Sequence, residues 1–204
     1  MRCDRRLLRD SDGRPVKIVG MAIDFTEERR RIEMLEETAR TDALTGLLNR
    51  RGLSIEFVAL QSAAGVAVLA LDLDGFKEVN DAHGHAMGDV VLKTTASRLT
   101  SSVRVQDLVA RTGGDEFVVV IAGDQPAGEA AAKRILARMR EPIAIANHIA
   151  DVRVSIGGIW TPDKRDVSEL LNEADALLYN AKAAGKDAVR FQSASNRDDR
   201  EYPR

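Results

Sequence analysis

The sequence predicts an α+β domain, one sheet covered by helices, led by a β-hairpin and a linker helix. Three observations carry this. Residues 66–73 begin the apolar run "VAVLALDLD", which has the length of a buried strand. Two further apolar runs, 108–111 and 117–121, flank Gly113 and Gly114 in the pattern of a hairpin. Between and after them lie segments with helical spacing, so strands and helices alternate along the chain.

Composition narrows the function classes. With 204 residues and 44% hydrophobic content the chain can build one sizeable core of catalytic-domain size. Lys+Arg 30 against Asp+Glu 32 nearly cancel, so no broad field draws nucleic acid or an anionic membrane, and any phosphate binding must be local. The single cysteine, Cys3, excludes an internal disulfide framework and a multi-cysteine zinc site. That usage suits a reducing compartment, and a cytoplasmic location is the expectation. The longest apolar stretch, 66–71, is far short of the ~20 residues of a membrane helix. Nothing near Met1 resembles a signal peptide, so this fragment is expected to be soluble and to make no membrane contact.

The elements follow in order. Residues 5–25 alternate loosely around a turn at Asp12 and Gly13, which reads as a hairpin. Residues 27–40 are dense in Glu and Arg and free of Gly and Pro, with Phe25, Ile32, Leu35 and Ala39 near heptad spacing. That is a helix with a narrow apolar seam, readable as a weak dimer contact or as a solvated connector. Then come a helix over 51–61, a strand over 66–73, a helix over 87–101 and the hairpin 108–111 with 117–121. A helix over 127–140, a strand pair near Ile143 with 152–159, and a last helix over 167–184 complete the domain. The tail from Ser193 is polar enough to be disordered. The resulting division is 1–25, 26–41, 42–192 and 193–204, with no internal repeat.

The strand delivers Asp72 and Asp74 at its end, and in "ARTGGDEFVVV" Gly113 and Gly114 make a turn that lets backbone approach a ligand. Asp115 and Glu116 follow at its tip. A lone Asp72 also reads as a solvated strand end, and the glycines as an ordinary turn. Such a turn gives no reason for two adjacent carboxylates before a fully apolar strand. Hard oxygen donors of this kind suit Mg²⁺ (or Mn²⁺), which takes one or two carboxylates and completes its shell with water and phosphate oxygens. His83 and His85, separated only by Gly84 and without a cysteine partner, make a poor zinc site and are given a structural role.

"TDALTGLLNRRGL", "LDLDGFKEVNDAHGHAMGD" and "RTGGDEF", in that order and spacing, resemble the GGDEF family of diguanylate cyclases over residues 41–191. The resemblance implies a palm-like nucleotidyl cyclase fold with a central, mostly antiparallel sheet. It also implies condensation of two GTP molecules into cyclic di-GMP across a homodimer, with release of pyrophosphate. Asp72 and Asp115 would ligate metal, assisted by the Leu73 carbonyl, with Glu116 a further ligand or an aid in deprotonating the 3′-hydroxyl. Asn80 and Asp89 match the guanine-binding positions, and a carboxylate is the group that accepts guanine's adjacent N1-H and N2-H₂ donors. Without the family the same two residues read as a turn and a helix start. Phosphate contacts would come from backbone N–H groups near Gly75, Phe76 and Lys77, and from Lys182 and Lys186. Those lysines share a face if the last helix reaches them, and read otherwise as a solvated stripe. Arg104-Val105-Gln106-Asp107 matches the family's product-inhibition signature, and apart from the family reads as a surface ion pair. "RDSDGRPVKIVGMAIDFTEERRR" resembles the last hairpin and exit of a PAS sensor domain, so an upstream sensor is the expected partner.

Three residues depart from the pattern. Thr112 stands where an aromatic or larger apolar residue is usual, Gly75 replaces a bulkier side chain, and Lys186 replaces an Arg, trading a planar fork for a point charge. None removes a presumed metal ligand. The rival readings are a non-catalytic module that binds GTP or cyclic di-GMP and, more remotely, a cyclase for another purine nucleotide, against which Asp89 argues.

Overall fold

The computed structural model describes residues 2–9, 12–23, 40–60, 65–145 and 148–194. The chain divides into two units, Met1–Ala39 and Arg40–Arg204. In the first, β1 (Arg2–Arg9) pairs antiparallel with β2 (Pro15–Ile23) around a turn where Gly13 takes a φ of 78°. This is the expected hairpin, begun earlier than the sequence predicts, and residues 24 and 25 of the predicted span lie outside the described residues. Of the predicted linker helix, 27–40, residues 27–39 lie outside the described residues. Arg40 is in a turn and Thr41 bridges to Leu48, so the helix does not extend over that pair.

The second unit runs α1 (Arg50–Leu60), β3 (Val66–Asp74), α2 (Phe76–His83), α3 (His85–Ser101), β4 (Leu108–Gly113), β5 (Glu116–Ala122) and α4 (Gln125–Met139). It continues with β6 (Ile143–Ile145), β7 (His148–Ala150), β8 (Arg153–Thr161), α5 (Val167–Ala183) and β9 (Val189–Ser193). Side-chain caps explain several starts. Asn49 accepts from the Gly52 N–H at 2.9 Å before α1, Asp124 from Ala127 at 3.0 Å before α4, and Asp166 from Ser168 at 2.7 Å before α5.

The sheet has five strands in the order β4-β5-β3-β8-β9, antiparallel except for the β8–β9 pair. β3 sits at its centre, and the period of two sends its side chains to two apolar layers. Ala67, Leu69, Leu71 and Leu73 pack with α2, α3 and α4, while Val66, Val68 and Ala70 pack with Leu53 and Phe57 of α1 and with Leu170, Ala174 and Leu177 of α5. Each fully buried Leu, Ile or Phe contributes roughly 1.5–3 kcal/mol, so the chain's apolar residues anchor both faces of the strand that carries Asp72.

Three elements differ from the sequence expectation. Residues 76–83 form a helix where no element is predicted. Ile143–Ile145 pairs with His148–Ala150 rather than with the 152–159 strand, which instead joins β3 in the central sheet. Ser193, predicted to open a disordered tail, ends β9, and the Ala194 N–H donates to the Trp160 carbonyl at 2.7 Å. Residues 195–204 lie outside the described residues. Among the described residues no helix is long and apolar enough to cross a membrane.

Candidate active site

The β3–β5 register sets Asp72 opposite Glu116, and the Leu73 N–H donates to the Asp115 carbonyl at 3.4 Å. Opposite positions of an antiparallel pair share a face, so the acidic end of β3 and the tip of the β4–β5 hairpin form one edge. A register shift between Arg111 and Gly113, with Gly114 at φ 47°, makes that tip. Gly113 itself stays out of the left-handed region.

Arg111 fixes the tip from below. Its Nε and Nη2 donate to the Gly114 carbonyl at 2.9 and 2.7 Å, and its Nη1 to both Asp42 carboxyl oxygens at 3.0 and 3.1 Å. Asp42 also accepts from the Thr45 N–H at 2.9 Å and hydroxyl at 2.6 Å. Burial pushes the Asp42 carboxyl up, but the Thr45 and Arg111 hydrogen bonds outweigh it and hold it below the ordinary aspartate value.

At the acidic edge the balance is reversed. Burial raises the Asp115 pKa, and the charge of Asp72 raises it further, against opposing pulls from Lys182 and Arg111. Lys182, in the last turn of α5, places Nζ 2.7 Å from Asp72 Oδ2. Two hard carboxylates near enough to repel, with an ammonium seated on one, are a donor set that fits Mg²⁺. Among the described residues no three acidic, His or Cys side chains form a ready metal-binding cluster. Leu73 is buried, and Glu116 is exposed at the tip.

Asp74 is bound up within the fold. Its Oδ2 accepts from the Ser155 hydroxyl at 2.8 Å and from the Asp187 N–H at 3.1 Å, tying β3 to the loop after α5. That loop corrects the sequence reading of Lys186. The Lys186 N–H bonds back to the Ala181 carbonyl at 3.3 Å and the Gly185 N–H to Lys182 at 3.2 Å, the paired bonds that end a helix at a glycine. Lys186 is therefore outside α5 with φ 65°, and it shares no helical face with Lys182. Asp187, at φ 45°, is clamped by Arg140, whose Nε lies 3.0 Å from each carboxyl oxygen.

A cavity of about 430 Å³ opens between α1 and α5, with Asp72, Glu116, Lys182 and Thr112 in its wall beside Arg50 and Asp175. Burial raises the Asp175 pKa, and the Arg50 charge opposes it. Asp42, Arg50 and Arg111 lie inside the stretches that carry the family resemblance, but the sequence marks no role for them, and neither they nor Asp175 are among the sequence-predicted site residues.

Asn80 and Asp89 do not line that cavity; they lie on α2 and α3, over the opposite face of the sheet. The Asn80 side chain lies against Gly88, where an added Cβ would meet its Oδ1 at 2.0 Å, so the close approach requires glycine next to Asp89. Asn80 Oδ1 is buried and has no hydrogen-bond partner among the described residues. Gly75, at φ 85°, caps the start of α2, Phe76 is buried in the core and Lys77 is exposed. His83 and His85 end α2 and begin α3, both exposed.

Arg104 is exposed, whereas Asp107 is buried and accepts from the Arg104 N–H at 2.8 Å and the Ala122 N–H at 3.2 Å. Arg134 approaches the same turn, its Nε 2.6 Å from the Ser102 carbonyl.

Residues 39–188 match the family described as "Diguanylate cyclase, GGDEF domain". The chain belongs to the GGDEF family. The GGDEF domain is 39% identical over 168 residues to the bifunctional diguanylate cyclase/cyclic di-GMP phosphodiesterase MucR of Pseudomonas aeruginosa, covering 79% of this chain and 24% of MucR. It is 39% identical over 168 residues to the cyclic di-GMP phosphodiesterase PdeR of Escherichia coli, covering 80% and 25%. The chain thus spans about a quarter of these curated relatives. A solved structure of a sensory box/GGDEF family protein from Caulobacter crescentus aligns with a TM-score of 0.66 at 42% identity, covering 72% of this chain and 99% of that one. The fold observed here, a mostly antiparallel sheet between helices, is the GGDEF fold.

Proposed function

We propose that this GGDEF domain is a diguanylate cyclase that joins two GTP molecules into cyclic di-GMP across a homodimer. The convergence of Asp72 and Asp115 at one sheet edge, with Lys182 beside them, is the observation that carries this reading. Asp72 and Asp115 hold Mg²⁺ or Mn²⁺, which when bound neutralises phosphate charge and lowers the pKa of a nearby hydroxyl. Asn80 and Asp89 hold the guanine edge, the N–H groups opening α2 and Lys182 hold phosphate, and Lys186 adds charge from its loop. Glu116, exposed at the hairpin tip, receives the proton of the 3′-hydroxyl. The 3′-oxygen of each nucleotide bonds to the α-phosphorus of the other, and each α–β bridging bond breaks with its electrons leaving on pyrophosphate. A single chain holds half of the reacting atoms, so proximity requires a facing copy. The cellular setting is read as cytoplasmic, with an upstream PAS-type sensor acting through the 26–41 segment.

Purified protein with GTP and Mg²⁺ is expected to yield cyclic di-GMP by chromatography, and Asp115→Ala to lose about 100-fold or more of that rate. Equal turnover of ATP would sink the guanine assignment. A second reading, a GTP or cyclic di-GMP receptor without turnover, draws support from PdeR, a relative named for phosphodiesterase alone; nucleotide binding without product would favour it. The exposed Arg104 beside Asp107 supports feedback inhibition by product. Arg104→Ala should abolish inhibition by added cyclic di-GMP, and unchanged inhibition would remove that assignment.

A further inference from the structure

Lys182 contacts Asp72 at 2.7 Å, with 36% of the lysine and 17% of the aspartate side chain exposed. The charged groups around this edge are Asp72, Asp115, Glu116, Lys182 and Arg111. Arg111 is committed to Asp42 and the Gly114 carbonyl and cannot follow a ligand without releasing the hairpin. Lys182 has a flexible four-carbon stem, a compact charge and an open side toward the cavity between α1 and α5. An ammonium on Asp72 Oδ2 and a divalent cation on the same carboxyl repel one another at short range, so each weakens the other's hold on it.

We propose that Lys182 is a built-in counter-ion: it occupies Asp72 before a divalent cation binds, and moves to nucleotide phosphate once that cation takes the carboxylate. This rests on the metal and GTP reading above and adds the coupling between them. Before cation binding, Lys182 offsets two mutually repelling carboxylates, which keeps the edge assembled. Its release frees a positive charge beside Asp72, next to the cation that would bridge that carboxylate to the phosphates. Cation and nucleotide therefore favour one another through one side chain, and the coupling is reciprocal.

The distinguishing consequence is a gain. Lys182→Met removes the competitor while keeping length and helix propensity, so the nucleotide-free protein should bind Mn²⁺ more tightly by roughly twofold to fivefold, the range of partly exposed ion pairs. Titration followed by electron paramagnetic resonance reads this without turnover. The same variant should bind a non-hydrolysable GTP analogue more weakly at saturating Mn²⁺, whereas Lys182→Arg, which keeps the charge, should show no gain in Mn²⁺ affinity. Lys182→Gln provides a second neutral variant if the methionine disturbs α5. Mn²⁺ affinity unchanged or weakened in both neutral variants overturns the proposal. If Asp72→Asn leaves Mn²⁺ binding of an otherwise wild-type chain intact, the metal-site reading itself fails instead.

Discussion

Two ion pairs flank the β4–β5 hairpin, and they are built differently. Arg111 and Asp42 meet at 3.0 Å with 13% and 23% of their side chains exposed, and the hydrogen bonds around them come in pairs: both Asp42 oxygens, both Thr45 donors, two Arg111 nitrogens on Gly114. Lys182 and Asp72 meet at 2.7 Å through one ammonium. Distance alone would rank the second pair as the tighter one. What separates them is the number of partners that must be lost together: a forked guanidinium satisfied on several sides is scaffold, while a point charge on one oxygen can be exchanged for another cation.

The largest effect on stability should follow from breaking the scaffold pair. Asp42→Ala leaves the Arg111 guanidinium partly buried without its carboxylate and should cost roughly 2 kcal/mol, measured by urea unfolding. The pH dependence has a definite sign. Because the folded Asp42 pKa is depressed, its contribution is present above the ordinary aspartate value of about 3.9 and is lost as pH falls through the lower folded value. The difference between wild type and Asp42→Asn should therefore be constant at neutral pH and shrink below about pH 3.9. A difference that vanishes near neutrality would show that Asp42 stabilises by something other than its charge.

The contrast also explains what could be read from sequence. Asp115 and Glu116 were legible because the turn, the carboxylates and the following strand are contiguous, and Asp72 because its strand is apolar to its last residues. The partners of these groups were less legible: Arg111 and Asp42 lie 69 positions apart, and nothing local at either marks the other. The α2 helix escaped detection because it is eight residues long between Gly75 and Gly84, with Asn80 and Asp81 inside it. The misplaced partner of Ile143 and the missed β9 share one cause, since strand pairing is decided by the sheet: β8 is drawn to β3 by two buried faces, leaving β6 to close on β7. Lys186 followed helical spacing in sequence, but Gly185 ends the helix before it.

A smaller effect tests the exchangeable side of the comparison. Burial first, and then the Asp72 charge, raise the Asp115 pKa, so its ionised form works against folding at neutral pH; its destabilisation is absent below the unfolded value and grows as pH rises through the folded one. Asparagine keeps the shape and removes that charge. Asp115→Asn should therefore be more stable than wild type at pH 7 by up to about 1 kcal/mol, allowing for solvent screening at a partly exposed edge, while losing cyclic di-GMP formation. Thermal unfolding at pH 7 and near pH 3.5, without divalent cations, checks this, and the gain should fade at the acid pH. The same change at Asp42 carries the opposite sign, since that carboxylate is held by donors rather than crowded by another acid. Should Asp115→Asn and Asp42→Asn both destabilise at pH 7, Lys182 is balancing the acidic edge as fully as Arg111 balances Asp42, and the division between fixed and exchangeable pairs no longer holds.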